Sequence, residues 1–523
     1  MTDPRSVFRS LLVYSVCLPL ALVLGYMLAT PLDFTSFVTV TIVLLALLFP
    51  ILLRWHHPLL VFSWHTVAVL PFLPGRPPIR LLLTVASLLL ALLMYALDRR
   101  ARPLNVSSVT KPLLFLSAVI LTNMVMTGGA GFNVFGSQVG GAGRYVALAG
   151  AILGYFALSA RPIPPEKAGL YTGLFFLGGL TLIISGLSSV MPRSFQYLFL
   201  IFPVEKTALY APSPTSVGVP RMYGVALASM SAMFYMLARY GMTGIFRTTK
   251  PWRAVLFLGF SVGVMFGGYR AFVILLLGIL AFQFYLEGLF KLKFLPAWLL
   301  IAAAMASVLP IMDRLPYPVQ RSFAWIPGLG SPQVRADAQA STEWRLQIWR
   351  RAVAEVPQYF LLGKGYALDL RDLEMAQFRR TDLLRGRGEL QVGEAAELAG
   401  DYHNGPLSVI IPLGVLGVVG VGWFFVASWR LLLHNYRHGP PEFRTYNTFL
   451  LAFFCARVVY FLTVFGCLYA EFYYFTGLVA FSVALNHGMA VARPAEVTAA
   501  TPSEPEQARL LRPALSPAAP LRT

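Results

Sequence analysis

The feature that most constrains this chain is the recurrence of apolar stretches about as long as a bilayer is thick. A helix needs roughly 20 apolar residues to cross the hydrocarbon core. Runs of that kind lie near 10–29, 35–53, 58–74, 80–97, 111–127, 145–160, 169–187, 222–242, 253–269, 271–289, 295–311, 405–428, 448–466 and 468–488. The third, "LLVFSWHTVAVLPFLPG", is short and contains prolines, which suits a re-entrant segment. The expected count is therefore about 12–14 spans. Composition agrees: 57% of the 523 residues are hydrophobic and 12% charged, with a mean hydropathy of +0.67. A soluble domain carries about 25% charged residues. The chain reads as an all-α polytopic membrane protein, and its first run reads as a retained helix rather than a cleaved signal.

A net charge of +19 and a pI near 10.0 would suggest nucleic acid in a soluble protein. In a membrane protein the simpler account is that cytoplasmic loops collect Lys and Arg, and no nucleic-acid partner is implied. The segments "DRRARP" (98–103), "RPIPPEK" (161–167), "FRTTKPWR" (246–253), "KLK" (291–293) and "RLLLHNYRHGPPEFR" (430–444) are short and basic. Together with Arg5 and Arg9 they fall on one side of the counted spans. That side is the expected cytoplasm, with both termini on it. Cys17, Cys455 and Cys467 sit in or beside apolar runs, with neither a CxxC nor a His/Cys cluster, so no disulfide framework or zinc site is implied.

The opposite face receives the Gly-rich "GGAGFNVFGSQVGGAGR" (128–144), the segment 188–221, and a long loop. The expected organisation is an N-terminal transmembrane bundle of about eleven helices over 1–311, a large, partly helical periplasmic loop over 312–404, C-terminal transmembrane helices over 405–490, and a disordered cytoplasmic tail over 491–523. The loop holds 12 of the 23 acids and 12 basic residues; long loops escape the charge rule. Within it, residues 343–355 read as an amphipathic helix with Trp344, Ile348 and Ala352 on one stripe and Leu346, Trp349 and Val353 beside it.

Four residues fall at the outer boundary. Arg221 opens "RMYGVALASM", Arg270 sits between two apolar runs in "VMFGGYRAFVILLLG", Arg345 begins the loop helix, and His403 ends the loop in "GDYHNGPL". Each has a bland account: an interfacial anchor, an ordinary ion pair, a surface histidine. Arg270 resists it most, because a charge at membrane depth costs roughly 2.5–3.5 kcal/mol or more. Guanidinium forks suit phosphate oxygens, and imidazole takes a proton near neutral pH. The combination suits a reaction on a lipid-linked phosphate or diphosphate, with arginines neutralising the leaving group in place of a metal. Arg457 in "FFCARVVYFL" and Glu471 in "GCLYAEFYY" form a possible intramembrane pair. His56, His57 and His65 show no metal-ligand spacing.

These residues carry a resemblance. "GGYRAF" (Arg270), "RLQIW" (Arg345 and Trp349), "PQYFLLGKGY" (Pro357, Gly363 and Gly365), His403-Asn404 with Gly414 and Gly417 beyond, and Arg221 with Gly224 follow the order and spacing of short signatures in the O-antigen ligase/O-antigen polymerase superfamily of envelope glycan enzymes. The chain resembles that superfamily over roughly 220–420. It departs from it where Gly267-Gly268-Tyr269 stands in place of the usual serines, and 54–79 has no counterpart. The resemblance implies a GT-C-like fold in the bacterial inner membrane, engaged in lipopolysaccharide or related polysaccharide biosynthesis. It implies an inverting, metal-independent glycosyltransferase with no cofactor. The donor would be a glycan on undecaprenyl diphosphate, and the acceptor lipid A-core or a lipid-linked glycan, with membrane lipids around it. It makes His403, Arg270 and Arg345 catalytic and Arg221, Asn404, Trp349 and Gly365 substrate-binding. An O-antigen or exopolysaccharide repeat-unit polymerase and a protein O-oligosaccharyltransferase remain open within it. From other classes, a non-catalytic scaffold and a lipid-linked glycan flippase remain; the flippase is disfavoured because no inverted repeat is visible and the polar residues gather at one face.

Overall fold

In the computed structural model the described residues are 34–71, 73, 75–98, 104, 106–128, 139–188, 191–204, 221–291, 309–369 and 401–490, with 15, 17–19, 21, 22, 25 and 307. The expected spans 10–29 and 295–311 fall almost wholly outside them, as do residues 129–138, 205–220 and 370–400 of the outer loops and the tail 491–523.

The described chain is helical apart from a two-residue antiparallel pairing of β1 (Val139–Gly140) with β2 (Leu368–Asp369) and one isolated bridge. The helices are α1 (Phe34–Ser63), α2 (Ile79–Leu97), α3 (Ser107–Thr127), α4 (Ala142–Ser159) and α5 (Pro165–Gly186, with a 3₁₀ turn at Gly178–Thr181). They continue with α6 (Tyr223–Ile245), α7 (Trp252–Met265), α8 (Arg270–Leu286), α9 (Tyr317–Ser322), α10 (Pro332–Tyr359), α11 (Gly405–His438), α12 (Arg444–Thr463) and α13 (Leu468–Leu485). Seven helices among the described residues are long and apolar enough to cross a membrane: α2, α3, α4, α5, α11, α12 and α13. This is the architecture of a polytopic membrane protein.

Two expectations change. The apolar runs 35–53 and 58–74 are not separated by a turn at "RWHH". α1 passes straight through it, and His56 and His57 are buried on that helix, bonded to Ser87 Oγ (2.7 Å) and the Leu158 carbonyl (2.9 Å). Pro58 does not break α1. The break comes after Ser63, and the irregular stretch to Pro78 is held by the Val69–Pro78 bridge. The second change concerns α10, which is 28 residues long rather than the 13 expected. Ile348 and Ala352 are buried and Trp344 half-buried, as is Trp349 of the second stripe, but Leu346 and Val353 are 42% and 57% exposed, so the first stripe and Trp349 face protein.

Small residues let the helices approach closely. Trp64 occupies a slot between α4 and α13. A Cβ on Gly154 would lie 2.2 Å from its ring, and one on Gly477 1.9 Å from its indole nitrogen, which donates to the Tyr473 carbonyl at 3.1 Å. Around α12 the core is aromatic, with Phe449, Phe453, Phe461, Phe472 and Phe475 fully buried.

Two features shape the end of the bundle where the site lies. α7 and α8 have 14 and 17 residues, about 21 and 26 Å at 1.5 Å per residue, shorter than a hydrocarbon core of about 30 Å. α9 covers their connecting turn: Ser322 Oγ donates to the Met265 carbonyl at 2.8 Å and Arg321 Nη1 to the Gly268 carbonyl at 3.0 Å. The other feature is a break in α11 at Gly414 (φ 65°, ψ −167°), two residues after Pro412. The chain leaving α10 enters that break. Lys364 N and Gly365 N donate to the Ile411 and Pro412 carbonyls at 2.7 and 3.0 Å, and Val415 N donates to the Phe360 carbonyl at 2.7 Å. The freed backbone groups are thus satisfied by a second segment, as a non-helical backbone in a membrane requires.

Candidate active site

The four boundary residues named from sequence come together at this end, between the α7–α8 turn, α10 and the N-terminus of α11. Arg270 is the first residue of α8, after an extended Tyr269, and its Nη2 donates to Thr342 Oγ1 on α10 at 2.8 Å. Arg345 lies one turn further along α10. It has no ion-pair partner among the described residues, and its buried Nε has no hydrogen bond. Burial, and after it the charge of Arg270, lower its affinity for its proton from the ordinary value, with Arg321 acting the same way and Tyr460 and Asp401 opposing. A guanidinium stays charged at neutral pH regardless. The result is a half-buried positive cluster whose central member lacks a counter-ion.

Arg221 stands one layer out. It shares Asp337 with Arg321: the carboxylate oxygen Oδ2 accepts from Arg321 Nε at 2.5 Å, from Tyr317 OH at 2.7 Å and from Arg221 Nη2 at 3.5 Å. Burial pushes the Asp337 carboxyl up. The Tyr317 hydrogen bond and the two guanidinium groups outweigh that and hold it below the usual carboxylate range. This knot fastens α9 and α10 over the α7–α8 turn. Arg221 also lies over the Tyr269 ring at 5.6 Å, and Gly224 lets α6 meet Gly186 of α5, where a Cβ would come within 2.6 Å of the Gly186 nitrogen.

His403 faces the cluster from the segment before α11. Its backbone is left-handed (φ 50°), an uncommon state for a non-glycine residue. Nδ1 lies 3.0 Å from Asp401 Oδ1. The ring is clamped edge-on by Trp344 (centroids 5.1 Å, 89°) and Phe465 (4.9 Å, 82°). Nε2 has no hydrogen-bond partner among the described residues. A carboxylate on one imidazole nitrogen fixes the tautomer and leaves the other to accept a proton.

The remaining sequence candidates also make contacts within the protein. Asn404 caps α11, its Oδ1 accepting from Leu407 N at 3.0 Å. Trp349 Nε1 donates to the Tyr402 carbonyl at 2.8 Å, tying α10 to the histidine segment. Gly365 lies against Thr127, where a Cβ would fall 2.3 Å from Oγ1. Arg457 and Glu471 do pair, at 3.6 Å, but Glu471 lies in the first turn of α13 rather than in an outer turn.

Sequence reasoning missed Arg321, Thr342, Asp337 and Asp401. Only Asp401, two residues before His403, carried a local signal. Among the described residues no group of three or more His, Cys, Asp or Glu side chains is placed to hold a metal ion. Compared with protein-family models and with curated proteins, the chain matches none.

Proposed function

We propose that this protein transfers a glycan from undecaprenyl diphosphate to a sugar hydroxyl on a lipid-borne acceptor at the outer face of the bacterial inner membrane, in the manner of an O-antigen ligase. The observation that carries the proposal is the meeting of an arginine cluster, whose member Arg345 has no ion-pair partner among the described residues, with a carboxylate-oriented histidine at one end of the helix bundle. A lipid-linked diphosphate needs positive charge near the headgroups, and Arg270 at the start of α8, with Arg345 and Arg321 nearby, supports that reading.

In the proposed reaction the acceptor hydroxyl gives its proton to His403 Nε2 as its oxygen attacks the anomeric carbon. The bond from that carbon to the diphosphate oxygen breaks, and the bonding pair leaves with the diphosphate. Attack opposite the leaving group inverts the centre. Asp401 holds Nδ1–H and stabilises the imidazolium that forms. Arg270 and Arg345 hold the diphosphate more strongly as its charge grows, which is differential stabilisation of the transition state. The same chemistry serves a repeat-unit polymerase, which differs only in the acceptor.

The test is transfer in vitro. Purified protein with EDTA receives undecaprenyl-diphosphate-linked oligosaccharide and either lipid A-core or a second repeat unit, and product mass is compared among wild type, Arg270→Ala and His403→Ala. Transfer to one acceptor, lost in both variants, is expected. Full transfer by His403→Ala would sink the reading.

A further inference from the structure

The reaction above does not use a cavity of about 90 Å³ between α2, α4 and α13, walled by Trp64, Arg80, Thr84, Gly143, Tyr469 and Tyr473. Arg144 follows Gly143 of that wall without lining the cavity itself. Arg80 stacks on Tyr473 at 4.1 Å, and Arg144 stacks on Tyr469 at 5.5 Å, one helical turn away. Arg144 also reaches over the Tyr366 ring at 6.0 Å, and the buried Tyr366 hydroxyl has no hydrogen-bond partner.

The charge arrangement here is unfavourable as it stands. Arg80 and Arg144 lie in the first turns of α2 and α4, and neither first turn contains an acid. A helix N-terminus carries about half a positive charge and prefers an anion nearby. Two guanidinium groups are therefore set beside two positive helix ends. Neither arginine makes an ion pair or hydrogen bond among the described residues, and Glu471, the acid in the first turn of α13, is taken by Arg457. The aromatic faces compensate only in part, since a cation over a ring gains about 0.5–2 kcal/mol. The missing partner is an anion, and the site has the features that bind phosphate: helix N-termini and guanidinium forks.

We infer that Arg80 and Arg144, with Tyr469 and Tyr473, form a second phosphate-binding site, separate from the donor site of the proposed function. It rests on the unpaired arginines beside two helix N-termini and not on that function.

Binding separates the two. Protein in nanodiscs is titrated with undecaprenyl diphosphate, and in a parallel arm with inorganic phosphate, and stoichiometry is read by native mass spectrometry. Wild type is compared with Arg80→Gln/Arg144→Gln and with Arg270→Gln/Arg345→Gln, with melting temperature as the folding control. The expected result is two bound lipids per chain in wild type and one in each double variant, with Arg80→Lys/Arg144→Lys restoring the second. Competition by inorganic phosphate at the second site would identify free phosphate as a sufficient ligand; its absence would identify a lipid headgroup. Two lipids retained by folded Arg80→Gln/Arg144→Gln, or a single wild-type site lost only in Arg270→Gln/Arg345→Gln, overturns this inference and leaves the donor site standing. Loss in Arg80→Gln/Arg144→Gln with no change in Arg270→Gln/Arg345→Gln upholds the phosphate site and removes the donor assignment instead.

Discussion

Arg345 and His403 are opposite cases of how a side chain is made ready. Arg345 is left unsatisfied, half-buried beside two like charges, so an incoming anion gains what the protein withholds. His403 is over-determined by a carboxylate, two aromatic edges and a left-handed backbone. His403→Gln should lower transfer by roughly 10²–10⁴-fold, the usual worth of a general base, while leaving donor binding intact. Asp401→Asn should lower it less, because the Asp401 carbonyl, 3.3 Å from Nδ1, remains to favour the same tautomer. Equal losses of binding and turnover would assign these residues to folding instead. Asp337 yields a pH prediction. Its carboxyl is held below the usual range in the folded protein, so its contribution is present above the ordinary carboxylate pKa of about 3.9 and is lost as pH falls through the depressed folded value. Thermal melts should show wild type more stable than Asp337→Asn at pH 7, with the difference vanishing in acid. His403, Arg270, Arg345 and Arg221 were legible in the sequence because each is a charge or titratable group where hydropathy changes. Arg321 and Thr342 were not, because they join the site only through the packing of α9 and α10, which no local pattern encodes.

At the scale of elements, the site depends on how α10 is moored. One end is knotted through Asp337. Its middle is tied by Trp349 to the Tyr402 carbonyl, and its exit is inserted into the break in α11. Asn123 on α3 secures that insertion, donating to the Leu362 and Pro412 carbonyls at 2.8 and 2.9 Å while its Oδ1 accepts from Tyr145 at 2.7 Å. Gly363 has φ 80°, and a Cβ there would lie 2.2 Å from the Pro412 oxygen. Gly363→Ala should therefore destabilise the protein by about 1–3 kcal/mol, seen as a lower melting temperature. Trp349→Phe should remove one hydrogen bond, about 0.5–1.5 kcal/mol, and reduce turnover more than donor affinity, since it loosens the histidine segment and not the arginines. The glycines and the tryptophan were visible in the sequence as motif positions, but the contacts that moor α10 through them were not, because they join segments far apart in the chain.

For the whole molecule, hydropathy locates the apolar helices but does not say where a helix turns back. The polar residues "RWHH" divide two apolar runs in the sequence. Inside the bundle His56 and His57 find Ser87 and Leu158, and α1 runs on. Merging two expected spans changes the parity of the count before residue 79, so the side of the N-terminus inferred from Arg5 and Arg9 no longer follows from that count. The part that matters for function does not depend on it. Arg253 bonded to the Gly244 carbonyl, Glu287 capping Met242 and Thr243, and Tyr436 bonded to the Leu286 carbonyl lie at one end of the bundle. Arg221, the α7–α8 turn, α10 and His403 lie at the other. If the basic end is cytoplasmic, the site faces outward. With the native cysteines replaced by serine, Ala336→Cys on the exposed side of α10 should react with a membrane-impermeant maleimide in sealed right-side-out vesicles, and Lys250→Cys should react only after lysis. The reverse pattern would put the arginines and the histidine in the cytoplasm, where an outer-leaflet glycan donor cannot reach them, and the glycan-transfer proposal would fall with it.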